Sequence, residues 1–253
     1  GAGAASWDLS AITGLSGDCG GNSGITFTTP VTNYWVGGTG SWGTVGEWAS
    51  TSGGAGASGR VPLPQDSATF DANSFSAGSQ TVTTNVARAG TNIDWTAATN
   101  SPTWTTSTAS SVFGSVTLIS AMTLTGSTST YTFEGRGSHT ITMAGKSWAK
   151  VTQYRSFGGT YTFQDTYAAT ASLLLDAGTL NLNGQAVSCS VFGTNTSFTI
   201  TRTLTFGSST MTIASNGGTL WTTTTTNMTI NMNTGVVAFT YAGATGTRTL
   251  TVG

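Results

Sequence analysis

The chain has 253 residues, of which 54 are threonine, 35 glycine and 30 serine, and only 7% are charged. Eight Lys+Arg against nine Asp+Glu create no field for nucleic acid or an anionic membrane surface, and the scarcity of helix formers with charged outer faces excludes a helical bundle. Low-complexity disorder is excluded by 37% hydrophobic residues and by 8 Trp, 11 Phe and 6 Tyr, which leaves an all-β, hydroxyl-coated protein.

The opening residues GAGAASWDLS carry no basic n-region and no apolar h-region, so a signal peptide is expected to have been removed or to lie outside this segment. Residues 1–33 read as the first coils of a repetitive fold. Residues 34–75 break the pattern: Trp35, Trp42 and Trp48 stand among many glycines, followed by Val61-Pro62-Leu63-Pro64 and SATFDANSF. Such tryptophans could form a sugar-stacking platform, but an aromatic cap or lid is the preferred reading, since large rings seal an irregular region well. From residue 76 to 253 short runs alternate with period two, among them Val116/Leu118, Tyr131/Phe133, Ile141/Met143, Tyr161/Phe163, Leu180/Leu182, Met211/Ile213 and Met228/Ile230/Met232. One apolar face and one threonine face require strands that bury a single side.

Longer echoes point to a solenoid. TYTF at Thr130 returns at Thr160, SVFG at Ser111 returns at Ser190, and TRTLTFG at Thr201 returns as TRTLTVG at Thr247. These spacings suggest coils of roughly 20 to 25 residues, near the lower end for stacked repeats, and about ten coils in all. The segment around Trp221 also echoes that around Trp7, so the chain is expected to begin and stop inside a repeat, either as a segment of a longer repetitive protein or with its open coil completed by another copy. A head-to-tail contact between uncapped copies would then build an open filament. The predicted fold is a parallel, right-handed β-helix with the Trp/Gly-rich region as an insertion; a β-sandwich of the jelly-roll type is the alternative.

The YWVGGTGSW…W…SGG…VP…D…FDANSF stretch, followed by strands of the form RTLTFGSSTMTI, resembles the Gly/Ser/Thr-rich repeat proteins of bacterial cell surfaces and tailed-phage virions. The resemblance implies a β-helical fibre, spike or adhesin and carries over no functional residue.

Candidate chemistry is sparse. The single histidine, His139, cannot build a multi-histidine metal site, and no Asp-His-Ser arrangement can be drawn from neighbouring positions. Gly-rich segments lack a GK[ST] ending and a following helix, so they are turns; no cofactor and no metal are expected. Glu134 and Asp165 follow the two TYTF strands and could meet on stacked coils as paired carboxylates, near Arg136 and Arg155, to cleave a polysaccharide. The preferred reading is that they end strands, and that Asp66 and Asp71 are turn residues, so the chain is read as non-enzymatic. TxT pairs at Thr203/Thr205, Thr210/Thr212 and Thr247/Thr249/Thr251 would, in register, form hydroxyl ladders of the kind ice-binding solenoids use. They fall at no fixed spacing, so ordinary solvent-facing threonine is preferred. Asn195 and Asn227 lie in sequons and are candidate glycan acceptors.

Cys19 and Cys189 are equally compatible with one bridge or two free thiols. Scarce lysine favours an extracellular, cell-surface or virion setting. No stretch of 18 apolar residues is present, so no membrane span is expected. Expected partners are other copies of the chain and, as an alternative, cell-surface glycans.

Overall fold

Alternating apolar and threonine positions give strands with one face to bury, and the chain satisfies them by winding. In the computed structural model, which describes residues 6–12, 14–126, 129–194, 200–240, 243 and 246–252, nearly all secondary structure is short parallel strands stacked coil upon coil. The fold is a β-solenoid. The only helical element among the described residues is the 3-10 turn Val45–Glu47, and no helix is long and apolar enough to cross a membrane.

Each coil crosses three faces. One circuit runs through Tyr131–Phe133 on the first face, Ser138–Thr142 on the second and Ser147–Trp148 on the third. On the first face Ser110, Tyr131, Thr152 and Leu173 stand in one column. On the second, Ala68, Ile93, Val116, Ile141 and Phe163 follow one another inward. On the third, Val82, Trp104 and Leu124 align. Strands Thr152–Phe163 and Ser172–Asn181 pass from the first face to the second, with a register shift around Arg155. Gly178, at φ +79°, is required at that corner: a Cβ there would overlap the Ser156 carbonyl.

The inward columns make a continuous core. Phe133 stacks on Tyr154 at 4.7 Å and Phe70 on Trp95 at 3.7 Å, so rings of adjacent coils pile along the axis, and Phe163 stacks on Tyr167 at 4.1 Å across the corner of a single coil. Outward positions carry the hydroxyls, as the period-two pattern requires.

The register corrects how the sequence echoes map onto coils. Tyr131–Phe133 lies on the first face, but its echo Tyr161–Phe163 lies on the second. Arg202–Thr205 is on the second face, whereas Arg248–Val252 pairs with Gly218–Thr223 on the first. Echoes 30 and 46 residues apart therefore recur across faces rather than marking equivalent points of a repeat. The last strand does not reopen the unit that begins at Thr201.

The two ends differ. At the N-terminal end, Trp48–Ala49 turns back and pairs antiparallel with Tyr34–Trp35, covering part of the outermost second-face strand, Thr32–Trp35. Before it, Trp7–Asp8 pairs in parallel with Ile25–Thr26 as a separate two-stranded ribbon. At the C-terminal end each face finishes on a strand with one paired edge: Arg248–Val252, Met228–Asn231 and Val236–Phe239.

Candidate functional site

Trp35, Trp42 and Trp48 are wholly buried. Trp35 meets Trp48 edge to face at 5.2 Å, Trp42 meets Trp48 at 5.0 Å, and Trp42 continues to Trp104 at 6.4 Å. Trp35 Nε1 donates to the Gly38 carbonyl at 3.0 Å and Trp48 Nε1 to the Trp42 carbonyl at 2.7 Å. These rings plug the N-terminal end of the core, and none of the three turns an indole face to solvent where a sugar could stack.

Glu134 and Asp165 do not form a pair. Because their TYTF strands occupy different faces, Glu134 stands at the corner between the first and second faces, and Asp165 at the corner between the second and third. Asp165 accepts the backbone N–H groups of Met143 at 2.7 Å and Ala144 at 2.5 Å, fixing the preceding coil's turn. Glu134 instead shares Arg155 with Asp176: the guanidinium lies 3.8 Å from Glu134 Oε1 and 3.6 Å from Asp176 Oδ2. Gln153 also donates to Asp176, whose side chain is buried. Sequence reasoning missed Asp176, because the register shift at Arg155 brings it into line. Among the described residues no three His, Cys, Asp or Glu side chains are placed to hold a metal ion.

The other singled-out residues have structural surroundings. The His139 ring packs on Tyr161; its Nε2 accepts the Gly137 N–H at 3.1 Å and burial lowers its pKa, both of which favour the neutral ring. Arg136 lies over the Phe157 ring at 5.3 Å, with Gly20 and Gly21 packed against its side chain. Asp66 is the turn residue expected, its N–H donating to the Leu63 carbonyl at 2.9 Å, and its side chain is also a buried hub that accepts from Val31 N, Leu63 N and the Arg60 guanidinium at 2.6 to 2.9 Å. Asp71 is the turn residue expected, accepting the Asn73 N–H at 2.9 Å. Cys19 is exposed and Cys189 buried, and both are free. Asn227 is exposed at a turn, at φ +55°; Asn195 lies outside the described residues.

Two surfaces remain as candidates. One is a groove of about 600 Å³ at the N-terminal end, whose lining includes Leu15, Val31, Asn33, Tyr34, Ser58 and Arg60. Asn33 Oδ1 accepts the Arg60 N–H at 3.0 Å, and the Arg60 charge is neutralised by Asp66 at 2.6 Å. The other is the C-terminal coil, where Val236, Leu250 and Val252 are 51%, 54% and 67% exposed. Exposed aliphatic side chains beside three open strand edges are what a further coil would cover.

No family model, curated protein or solved structure matches this chain.

Proposed function

We propose that this chain is a structural, non-enzymatic protein of an extracellular, cell-surface or virion assembly, a fibre or spike built by stacking β-coils. The observation that carries this reading is the continuous stack of parallel coils around one apolar core, whose last described coil leaves Leu250 and Val252 exposed for a further coil, of this chain or of a second copy, to cover. Head-to-tail growth would have to displace Trp48–Ala49 from the second-face edge. A second copy meeting the first through its C-terminal coil needs no such displacement. Such a contact is two-fold, and identical edge strands related by a two-fold axis pair antiparallel. Negative-stain electron microscopy tests this: rods twice the length of one solenoid support the reading, and single-length particles at high concentration count against it.

Glycan binding is the second reading, and burial of the three tryptophans moves it to the N-terminal groove. The aliphatic side chains of Leu15 and Val31 beside the Ser58 hydroxyl, with a neutralised arginine, suit an uncharged sugar better than an anionic one. Binding to a glycan array that is lost in Ser58→Trp would support it, and no binding by the unmodified chain would remove it.

A further inference from the structure

Threonine pairs that look irregularly spaced in the sequence become a lattice once the register is known. On the third face Thr81 stands beside Thr103, and Thr103 beside Thr123; two residues on, Thr83 stands beside Thr105, and Thr105 beside Thr125. Ser41 continues the second of these columns one coil further up. The sequence separations are 22 and then 20 residues, which is why no fixed period reveals the array.

The array has three physical properties. It is rigid: threonine is stiff at χ1 because it is β-branched, and the strands are backed by buried Val82 and Trp104. It carries no charge on any of its strands, Gly40–Ser41, Thr81–Thr84, Thr103–Thr106 and Thr123–Gly126. It is regular in two directions, with about 4.8 Å between strands and about 6.6 Å between alternate residues of one strand. The Thr105 and Thr125 hydroxyls are 2.8 Å apart, within direct hydrogen-bonding distance. A rigid, neutral grid of alternating methyl and hydroxyl groups has no single solute as its natural complement. Its complement is another lattice, and the spacing between strands is close to a repeat distance of the oxygen atoms in hexagonal ice.

We propose that this threonine grid on the third face binds the surface of growing ice crystals. The second face offers the internal comparison. Its columns Ser138, Thr160, Thr179, Thr203, Thr229 and Thr140, Thr162, Asn181, Thr205, Asn231 are also in register, and the second of them interleaves carboxamides. Asn231 Nδ2 reaches across to Thr205 Oγ1 at 3.4 Å, so that column presents a carboxamide where the third face presents methyl and hydroxyl groups.

The test measures thermal hysteresis and partition of the purified chain into a slowly growing ice hemisphere, with circular dichroism to confirm folding. The unmodified chain is expected to enter the ice and to hold crystal growth below the melting point. Thr103→Lys with Thr105→Lys, and separately Thr125→Lys at an exposed position, should reduce both effects several-fold, whereas Thr203→Lys on the second face should leave them unchanged. Exclusion of the unmodified chain from ice overturns the proposal. So does ice binding that survives Thr125→Lys but is lost in Thr203→Lys.

Discussion

Trp48 runs antiparallel to Trp35, and their indoles meet edge to face at 5.2 Å. A reversed strand on a parallel ladder stops the ladder, and the rings beneath it seal the coil it stops. The plug accounts for the tryptophan-rich segment without a ligand. Trp48→Ala should therefore act on stability, costing about 3–5 kcal/mol by the usual scale for a buried large aromatic. Thermal or urea unfolding reads this directly; an unchanged melting curve would mean that the segment does not cap the core.

Lys150 is buried with no ion pair found among the described residues, its ammonium donating to the Thr106 carbonyl at 3.0 Å and lying 5.5 Å from the Tyr131 ring centre. Burial pushes its pKa down to about 8. Between pH 8 and the ordinary lysine range near 10.5, the unfolded chain holds a proton that the folded chain has released, so stability rises with pH across that window. Burial raises the Tyr131, Tyr154, Tyr161 and Tyr167 phenols, whose protonated forms then favour the folded state less and less as pH climbs above 10. The buried Cys189 thiol, pushed up to about 12, offsets the lysine rise from about pH 9, the ordinary thiol value, so stability should rise from pH 8 to 9, level off, and fall above 10. Lys150→Met should flatten the rising limb and leave the alkaline fall in place; denaturant melts at a series of pH values check both limbs.

Arg155 holds Glu134 and the buried Asp176 at one corner. Arg155→Met should cost about 2 kcal/mol, because the carboxylate of Asp176 stays buried while losing a charged partner. Glu134→Gln leaves the Arg155–Asp176 contact intact and should change stability by less than about 1 kcal/mol. Equal losses in the two variants would contradict this division of roles.

The two thiols should be distinguishable by reaction. Cys19 is exposed, whereas Cys189 is buried and burial pushes its thiol up to about 12. One thiol should react with a water-soluble disulfide reagent in the native chain, and the second only in denaturant. Two fast thiols, or none, would contradict the placement.

Period-two alternation made the strands and their parallel stacking legible, because a threonine face opposite an apolar face has few other solutions. Coil boundaries were less legible. Echoes such as Tyr131–Phe133 and Tyr161–Phe163 reflect the shared chemistry of any inward strand, and the register places them on different faces. The same holds for the pairing of Glu134: Asp165 follows the matching motif, but the shift at Arg155 brings Asp176 instead. Trp35, Trp42 and Trp48 could not be assigned to plug or platform from spacing alone, since both need large rings among glycines. The antiparallel return of Trp48–Ala49 decides it.

Assembly through the C-terminal coil is read by sedimentation velocity over a concentration series, comparing the unmodified chain with a Leu250→Lys, Val252→Lys double variant. Both side chains are solvent-exposed on the last strand, so the variant should fold normally. The account predicts a concentration-dependent shift from monomer to dimer for the unmodified chain, abolished in the variant. A chain that stays monomeric at every concentration, or one whose association is untouched by the two lysines, would contradict it.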